Sequence, residues 1–246
     1  MQIASNLSDT SLERLVPDSL DGHDATGQET YELHLARYNF AAQYVTSGPV
    51  LDCACGVGYG TAILADAKAA PASVKGVDID PAAAEYAAQR YAKDNISFHQ
   101  GDGALLDDPV GFDTIVSLET IEHVPDPVAI LTNFERLLRP GGILIGSVPV
   151  TPSVDVNPFH LHDFTIASFR KMGKDLGLEE LDMLKQNQPF DPFKIVTGKE
   201  ARLDDMRQNM VQYYLQNPAS FLKRCKSTLF DGFNNKYLTM VWKKPA

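Results

Sequence analysis

Cysteine is scarce in this chain of 246 residues, which has three: Cys53, Cys55 and Cys225. An odd, sparse set builds no disulfide framework and matches a reducing compartment, so a cytoplasmic protein is expected. Basic residues are also few, 22 Lys and Arg against 32 Asp and Glu, for a formal net charge of -10. No Lys/Arg run interrupts that balance. Such a field repels a phosphate backbone and argues against a nucleic-acid partner. No apolar stretch reaches the length of a membrane span, which argues against a membrane partner. The opening MQIASNLSDTSLERLVPDSL lacks the basic start and apolar centre of a secretory leader. Internal repeats and low-complexity tracts are missing too. The rest is ordinary globular material, 44% hydrophobic and 22% charged. It suits one α/β domain with additions, as a monomer or homodimer.

Residues 1–28 are polar and carry Pro17, Gly22 and Gly27, which reads as a loose lead-in or flap. Over 29–45 apolar residues recur at helical spacing, and Ser47-Gly48-Pro49 ends that helix. Strands and helices then alternate. Strands are expected over 50–53, 73–79, 96–100, 112–118 and 143–148, and helices over 61–70, 81–92 and 126–138. Arg139-Pro140-Gly141-Gly142 reads as a turn before the fifth strand. Apolar strands alternating with helices imply a parallel sheet covered on both faces. After Pro149 the rhythm changes. A loop rich in Pro and His covers 151–163, a helix 165–176, a strand 178–185, two helices broken at Pro218 199–228, and a last strand 236–243. About fifty residues between the last two strands are too many for a structureless loop. The expected division is a lead-in over 1–28, a core over 29–187, a helical cap above the active site over 188–234, and the final core strand over 235–246.

The strongest motif is VLDCACGVGYG, from Val50 to Gly60: a strand, a glycine loop, then a helix. Glycine permits positive φ and lets a ligand approach the backbone closely. Nicotinamide and flavin enzymes use similar loops. The acid at the strand end separates the readings. Asp52, four residues before Gly56, suits an ammonium group, directly or through water and backbone, and is a poor neighbour for a pyrophosphate. In Gly76-Val77-Asp78-Ile79-Asp80-Pro81, Asp78 stands where an acid accepts from both hydroxyls of a ribose. Ile79 could lie against a base, and Asp80 caps the helix that Pro81 opens. In Gly101-Asp102-Gly103, Asp102 either accepts from an adenine amino group or only shapes a turn.

VLDCACGVGYGT, VKGVDIDP, FHQGDG, FDTIVSLETIEHVPDP and LLRPGGILIGSVP, in this order and spacing, resemble the class I S-adenosylmethionine (SAM)-dependent methyltransferase family. The resemblance spans residues 30–185 and the final strand. It implies a Rossmann-like α/β fold with a seven-stranded sheet, its last strand antiparallel and helices on both faces, and SAM as cofactor across the ends of the first strands. By resemblance Asp52, Gly56 and Gly58 frame the methionine end, with Cys53 among the contacts. Asp78 takes the ribose, Ile79, Asp102 and Gly103 the adenine, and Leu118 and Glu119 line the transferring methyl. Arg37, on the N-terminal helix, resembles an arginine that some relatives aim at the SAM carboxylate; without the resemblance it reads as a solvated helix face. Cys53 and Cys55 replace the family's usual small or apolar residues. Their spacing is too short for the common zinc patterns, so both read as small buried residues.

Two clusters flank the methyl position: Glu119-Thr120-Ile121-Glu122-His123 after the fourth strand, and Asn157-Pro158-Phe159-His160-Leu161-His162-Asp163 after the fifth. Both lie at carboxyl ends of strands, where such sheets bind ligands. His160 and His162 share a face of an extended loop. Either suits a general base for a substrate hydroxyl, or both only anchor the loop, with Asp163 beside His162 favouring that role for it; His123 is a third catalytic candidate. Glu-x-x-Glu-His also resembles the metal-binding segment of small-RNA 2′-O-methyltransferases and ubiquinone-biosynthesis O-methyltransferases. That would make Glu119, Glu122, His123 and His160 or His162 a ligand set. Many family members carry Glu-His here without metal, and a metal-free site is expected. The NPFHLH segment, with ERLVP and LHLARY, resembles bacterial methyltransferases of sugar and cell-surface polysaccharide biosynthesis. It implies O-methylation of a sugar, nucleotide sugar or related small-molecule acceptor. The alternatives are N- or C-methylation of an amine or quinone precursor, an NAD-dependent oxidoreductase, and a non-catalytic SAM-binding module. From the cap, Arg202, Arg207, Tyr213, Tyr214 and Lys223 are candidate substrate contacts, or else ordinary solvated and packing residues of amphipathic helices.

Overall fold

The structure, a computed structural model, describes residues 16–17, 25–189, 207 and 209–246. Most of the expected lead-in, and Arg202 of the expected cap, lie outside the described residues. Seven strands make one sheet: β1 (Pro49–Cys53), β2 (Ser73–Asp78), β3 (Ile96–Gln100), β4 (Phe112–Leu118), β5 (Leu138–Pro149), β6 (Glu179–Pro189) and β7 (Asn234–Lys243). Their order is β3-β2-β1-β4-β5-β7-β6. The first five run parallel, and β7 enters antiparallel between β5 and β6.

Successive strand residues point to opposite faces, and here both faces are apolar. Leu51, Ile115 and Leu144 join one core, with Ile130, Leu131 and Phe134 from the helix α4 (Pro127–Leu137) and Phe169 from α5 (Ile166–Asp175). Val50, Val116 and Ile145 join the other, with Tyr38 and Ala41 from α1 (Ala25–Ala42) and Leu64 from α2 (Tyr59–Ala65). Burial on both faces is what parallel strands need. The helix α3 (Pro81–Tyr91) starts where expected: Asp80 accepts the Ala82 N–H at 2.8 Å, and Pro81 occupies the first turn. Asp126 caps α4 in the same way. The helix α2 begins two residues earlier than its pattern suggests, on Gly58 at φ +88°, and stops at Ala65. The first four residues of α1 come from the expected lead-in.

Residues 139–142 are not the expected turn but the start of β5. The register against β4 jumps from Phe112–Leu138 to Thr114–Ile143, so this stretch bulges from that ladder. Its partners come from the end of the chain. The Gly141 N–H donates to the Lys244 and Pro245 carbonyls, and the Lys244 N–H to the Gly142 carbonyl. Local Pro and Gly content cannot reveal partners a hundred residues away.

The short helix α6 (Met210–Gln216) and α7 (Pro218–Asp231) lie between β6 and β7 in the chain, with Pro218 in the first turn of α7.

Candidate active site

The glycine loop leaves β1 beside the end of β2. Asp78 joins the two: Oδ2 accepts the Gly56 N–H at 2.8 Å, and Oδ1 accepts the Asp80 N–H at 3.0 Å. Gly56 has φ +55°, and nothing lies within 4 Å of where its Cβ would stand. The loop backbone therefore faces open space here, as close approach of a ligand requires. Gly58 and Gly60 serve packing instead: a Cβ on Gly58 would meet Ala87 and Phe98, and one on Gly60 the Tyr38 ring. Ile79, next to Asp78, is 60% exposed, an apolar surface at the edge of that opening. Asp102 is exposed and accepts the Ala104 N–H at 2.9 Å, a turn contact. Gly103 gives room to Cys53.

Asp52 is fully buried. The Thr61 hydroxyl donates to its Oδ2 at 2.6 Å, and the Tyr38 hydroxyl to its Oδ1 at 3.3 Å. Burial pushes its pKa up to about 7, against the lowering effect of those two donors. The Asp52 side chain is thus closed off from solvent and held by Thr61 and Tyr38. Cys53 and Cys55 are buried, as expected, and burial raises the pKa of both thiols, that of Cys53 to about 12.

Arg37 is not on a solvated face; it is 1% exposed. Its Nη1 lies 3.2 Å from Glu119 Oε1, its Nε donates to Gln186 Oε1 at 2.7 Å, and its guanidinium lies over the Tyr237 ring. Glu119, directly after β4, has φ +50°. Its Oε1 accepts from the Ser147 hydroxyl at 2.6 Å, and its N–H bonds Ser147 in return. Leu118, before it, is buried.

Further along the same segment, Glu122, His123 and His160 each bring one ligand-type atom within 4.8 Å of the others. Glu122 is fully buried, and its carbonyl accepts the Leu161 and His162 N–H groups. The loop after β5 is thereby laced to the loop after β4. His123 Nδ1 bonds the Phe159 carbonyl at 3.1 Å; a carbonyl only accepts, so Nδ1 carries the proton. In the neutral ring Nε2 is then the lone-pair nitrogen, and it stands 4.0 Å from Glu122 Oε1. Two acceptors facing each other suit a shared proton or a cation. His160 is buried, with Nδ1 2.7 Å from Ser153 Oγ and its ring edge-to-face on His123. His162 Nε2 donates to the Val124 carbonyl at 3.0 Å, which ties the two loops together. Of the ligand set read from sequence, three residues meet. The Glu119 carboxylate is turned toward Arg37 and Ser147.

Arg207, just ahead of α6, and Tyr214 and Lys223, on α6 and α7, are spent on the loop itself. Arg207 donates to the Val154 and Asp155 carbonyls, with its guanidinium over the Tyr213 ring. The Tyr214 hydroxyl donates to Asp155, and Lys223 pairs with Asp163. Sequence reading missed Ser153, Asp155 and Arg224. Arg224 forms a two-bond ion pair with the buried Asp155. No local pattern connects residues so far apart in the chain.

A family model described as a methyltransferase domain matches residues 51–146. The methyltransferase GfsG of Streptomyces halstedii is 31% identical over 200 residues, covering 72% of this chain and 68% of that protein. A probable S-adenosylmethionine-dependent methyltransferase of Mycolicibacterium smegmatis is 30% identical, covering 63% and 61%. A ubiquinone biosynthesis O-methyltransferase of Xanthomonas campestris is 29% identical, covering 57% and 61%. The chain thus spans about three fifths of the length of several of these relatives. Among solved structures, a phosphoethanolamine N-methyltransferase of Haemonchus contortus in complex with SAM superposes with a TM-score of 0.57 at 19% identity, over 88% of this chain and 53% of that one.

Proposed function

Because the chain belongs to the class I SAM-dependent methyltransferases, we propose that it moves the SAM methyl group to a hydroxyl of a small molecule, a sugar, nucleotide sugar or related metabolite. The observation that carries this reading is His160: a buried imidazole at the carboxyl end of the sheet, held by Ser153 and packed on His123. SAM, when bound, supplies an electrophilic methyl on a good leaving group, so the chain needs only to hold the acceptor and take its proton. A hydroxyl needs that help, and a positioned base contributes roughly 10²–10⁴-fold. Histidine is neutral and able to accept near pH 7. The Asp52–Gly56–Asp78 frame holds the cofactor end, the Arg37–Glu119 pair shapes the floor beside the methyl, and α6 and α7 form a cap over the acceptor. The likeness to a ubiquinone O-methyltransferase favours oxygen as the acceptor atom.

The test supplies SAM with a labelled methyl group and a panel of hydroxylated sugars, nucleotide sugars, catechols and amines. The expected product is a methyl ether. Label found only in methylated amines would overturn the reading.

The cluster of Glu122, His123 and His160 favours a second reading. Two imidazoles and a carboxylate fit a divalent cation. Bound there, it would lower the pKa of the acceptor hydroxyl.

A further inference from the structure

The loop that carries His160 is gripped by helices from a later part of the chain, and the grip converges on one residue. Ser153 is fixed on three sides. The Pro152 carbonyl, before it, accepts Arg224 Nη2 at 2.6 Å. The Val154 carbonyl, after it, accepts Arg207 Nη2 at 3.2 Å. The Ser153 N–H donates to Asp163 Oδ1 at 2.7 Å, and Asp163 Oδ2 takes Lys223 Nζ at 2.5 Å. The Ser153 side chain then meets His160 Nδ1. Neither α6 nor α7 has a buried residue. Leu222, Leu229 and Phe230 of α7 are exposed rather than packed on the sheet. Lys223 and Arg224 of α7, with Arg207 just ahead of α6, thus join this segment to the loop through charge-assisted hydrogen bonds.

We propose that Arg224, Arg207 and Lys223 are positioning residues that set the His160 ring through Ser153, so that the cap and the histidine form one coupled unit. Seating of the cap fixes the ring; release of the cap frees it. The consequence for turnover rests on the reading of His160 as the base, but the effect on the ring does not.

The test labels the protein with ¹⁵N, saturates it with S-adenosylhomocysteine, and reads the His160 ring by long-range ¹H–¹⁵N NMR. Wild type is compared with Arg224→Met, Arg224→Lys and Lys223→Met. The expected result is a single-tautomer pattern in wild type and loss of that pattern in Arg224→Met. Arg224→Lys keeps part of it, and S-adenosylhomocysteine affinity is unchanged throughout. Lys223 is half-exposed, so Lys223→Met folds and carries the test should Arg224→Met not. An unaltered His160 pattern in the folded Met variants overturns the proposal. Normal turnover in His160→Ala would remove the base reading and leave the NMR result standing.

Discussion

Arg37 Nη1 stands 3.2 Å from Glu119 Oε1, joining the first helix to the end of β4 inside the protein. Arg37 is wholly buried and Glu119 nearly so. Removing one member of such a pair strands the other charge, at a cost of about 3–5 kcal/mol. Arg37→Ala should therefore lower the melting temperature sharply. Glu119→Gln should cost less, because an amide oxygen still accepts from Ser147. Equal melting curves for Arg37→Ala and wild type would show that the pair carries little weight.

Asp78 shapes the cofactor loop before any ligand arrives. Asp78→Ala removes the acceptor of the Gly56 N–H and the expected ribose acceptor together. SAM binding should weaken by about 1–3 kcal/mol. Calorimetry with SAM or S-adenosylhomocysteine checks this, and unchanged affinity would assign Asp78 to the turn alone.

Asp52 gives stability a pH dependence of known sign. Its pKa is about 7 in the fold against an ordinary 3.8. Between those values the folded protein holds more protons than the unfolded chain. Its contribution to stability therefore falls as pH rises from 3.8 to about 7, then levels. Denaturant titrations of Asp52→Asn should lack this slope. A cation seated by the loop favours the ionised carboxylate, so SAM binding near pH 6 should release a proton. Calorimetry in phosphate and Tris buffers would read that release as a difference in heat, and identical heats would contradict it.

At saturating acceptor, His160→Ala should lower turnover by about a hundredfold or more while SAM affinity holds. Turnover of the wild type should survive a chelator. Loss on chelation, restored by a divalent ion, would transfer the chemistry to the Glu122, His123 and His160 cluster.

Strand and helix alternation was legible up to β5 because each element declares itself locally, through apolar runs, caps and prolines. The 139–142 stretch was not, since its partners are residues 244 and 245. The charged residues follow the same division. Asp80 as a cap needs only the residues beside it, and the structure has it so. Arg37 on a helix looks like any solvated arginine until Glu119, Gln186 and Tyr237 are brought around it. Lys223 and Tyr214 looked available to a substrate, yet both are committed to the loop after β5. Burial and long-range pairing belong to the fold, not to spacing.

The ladder between β6 and β7 ends with Pro189 opposite Asn234. The two ends of the intervening segment therefore meet at a single rung of the sheet. Closing a longer loop costs only about 0.6 kcal/mol per doubling of length. The sheet is therefore nearly indifferent to what is spliced in at that rung, and replacing 190–233 with a short turn should leave a protein that still binds S-adenosylhomocysteine. A change confined to that one continuous segment leaves the pairing of β1, β2 and β4 as it is.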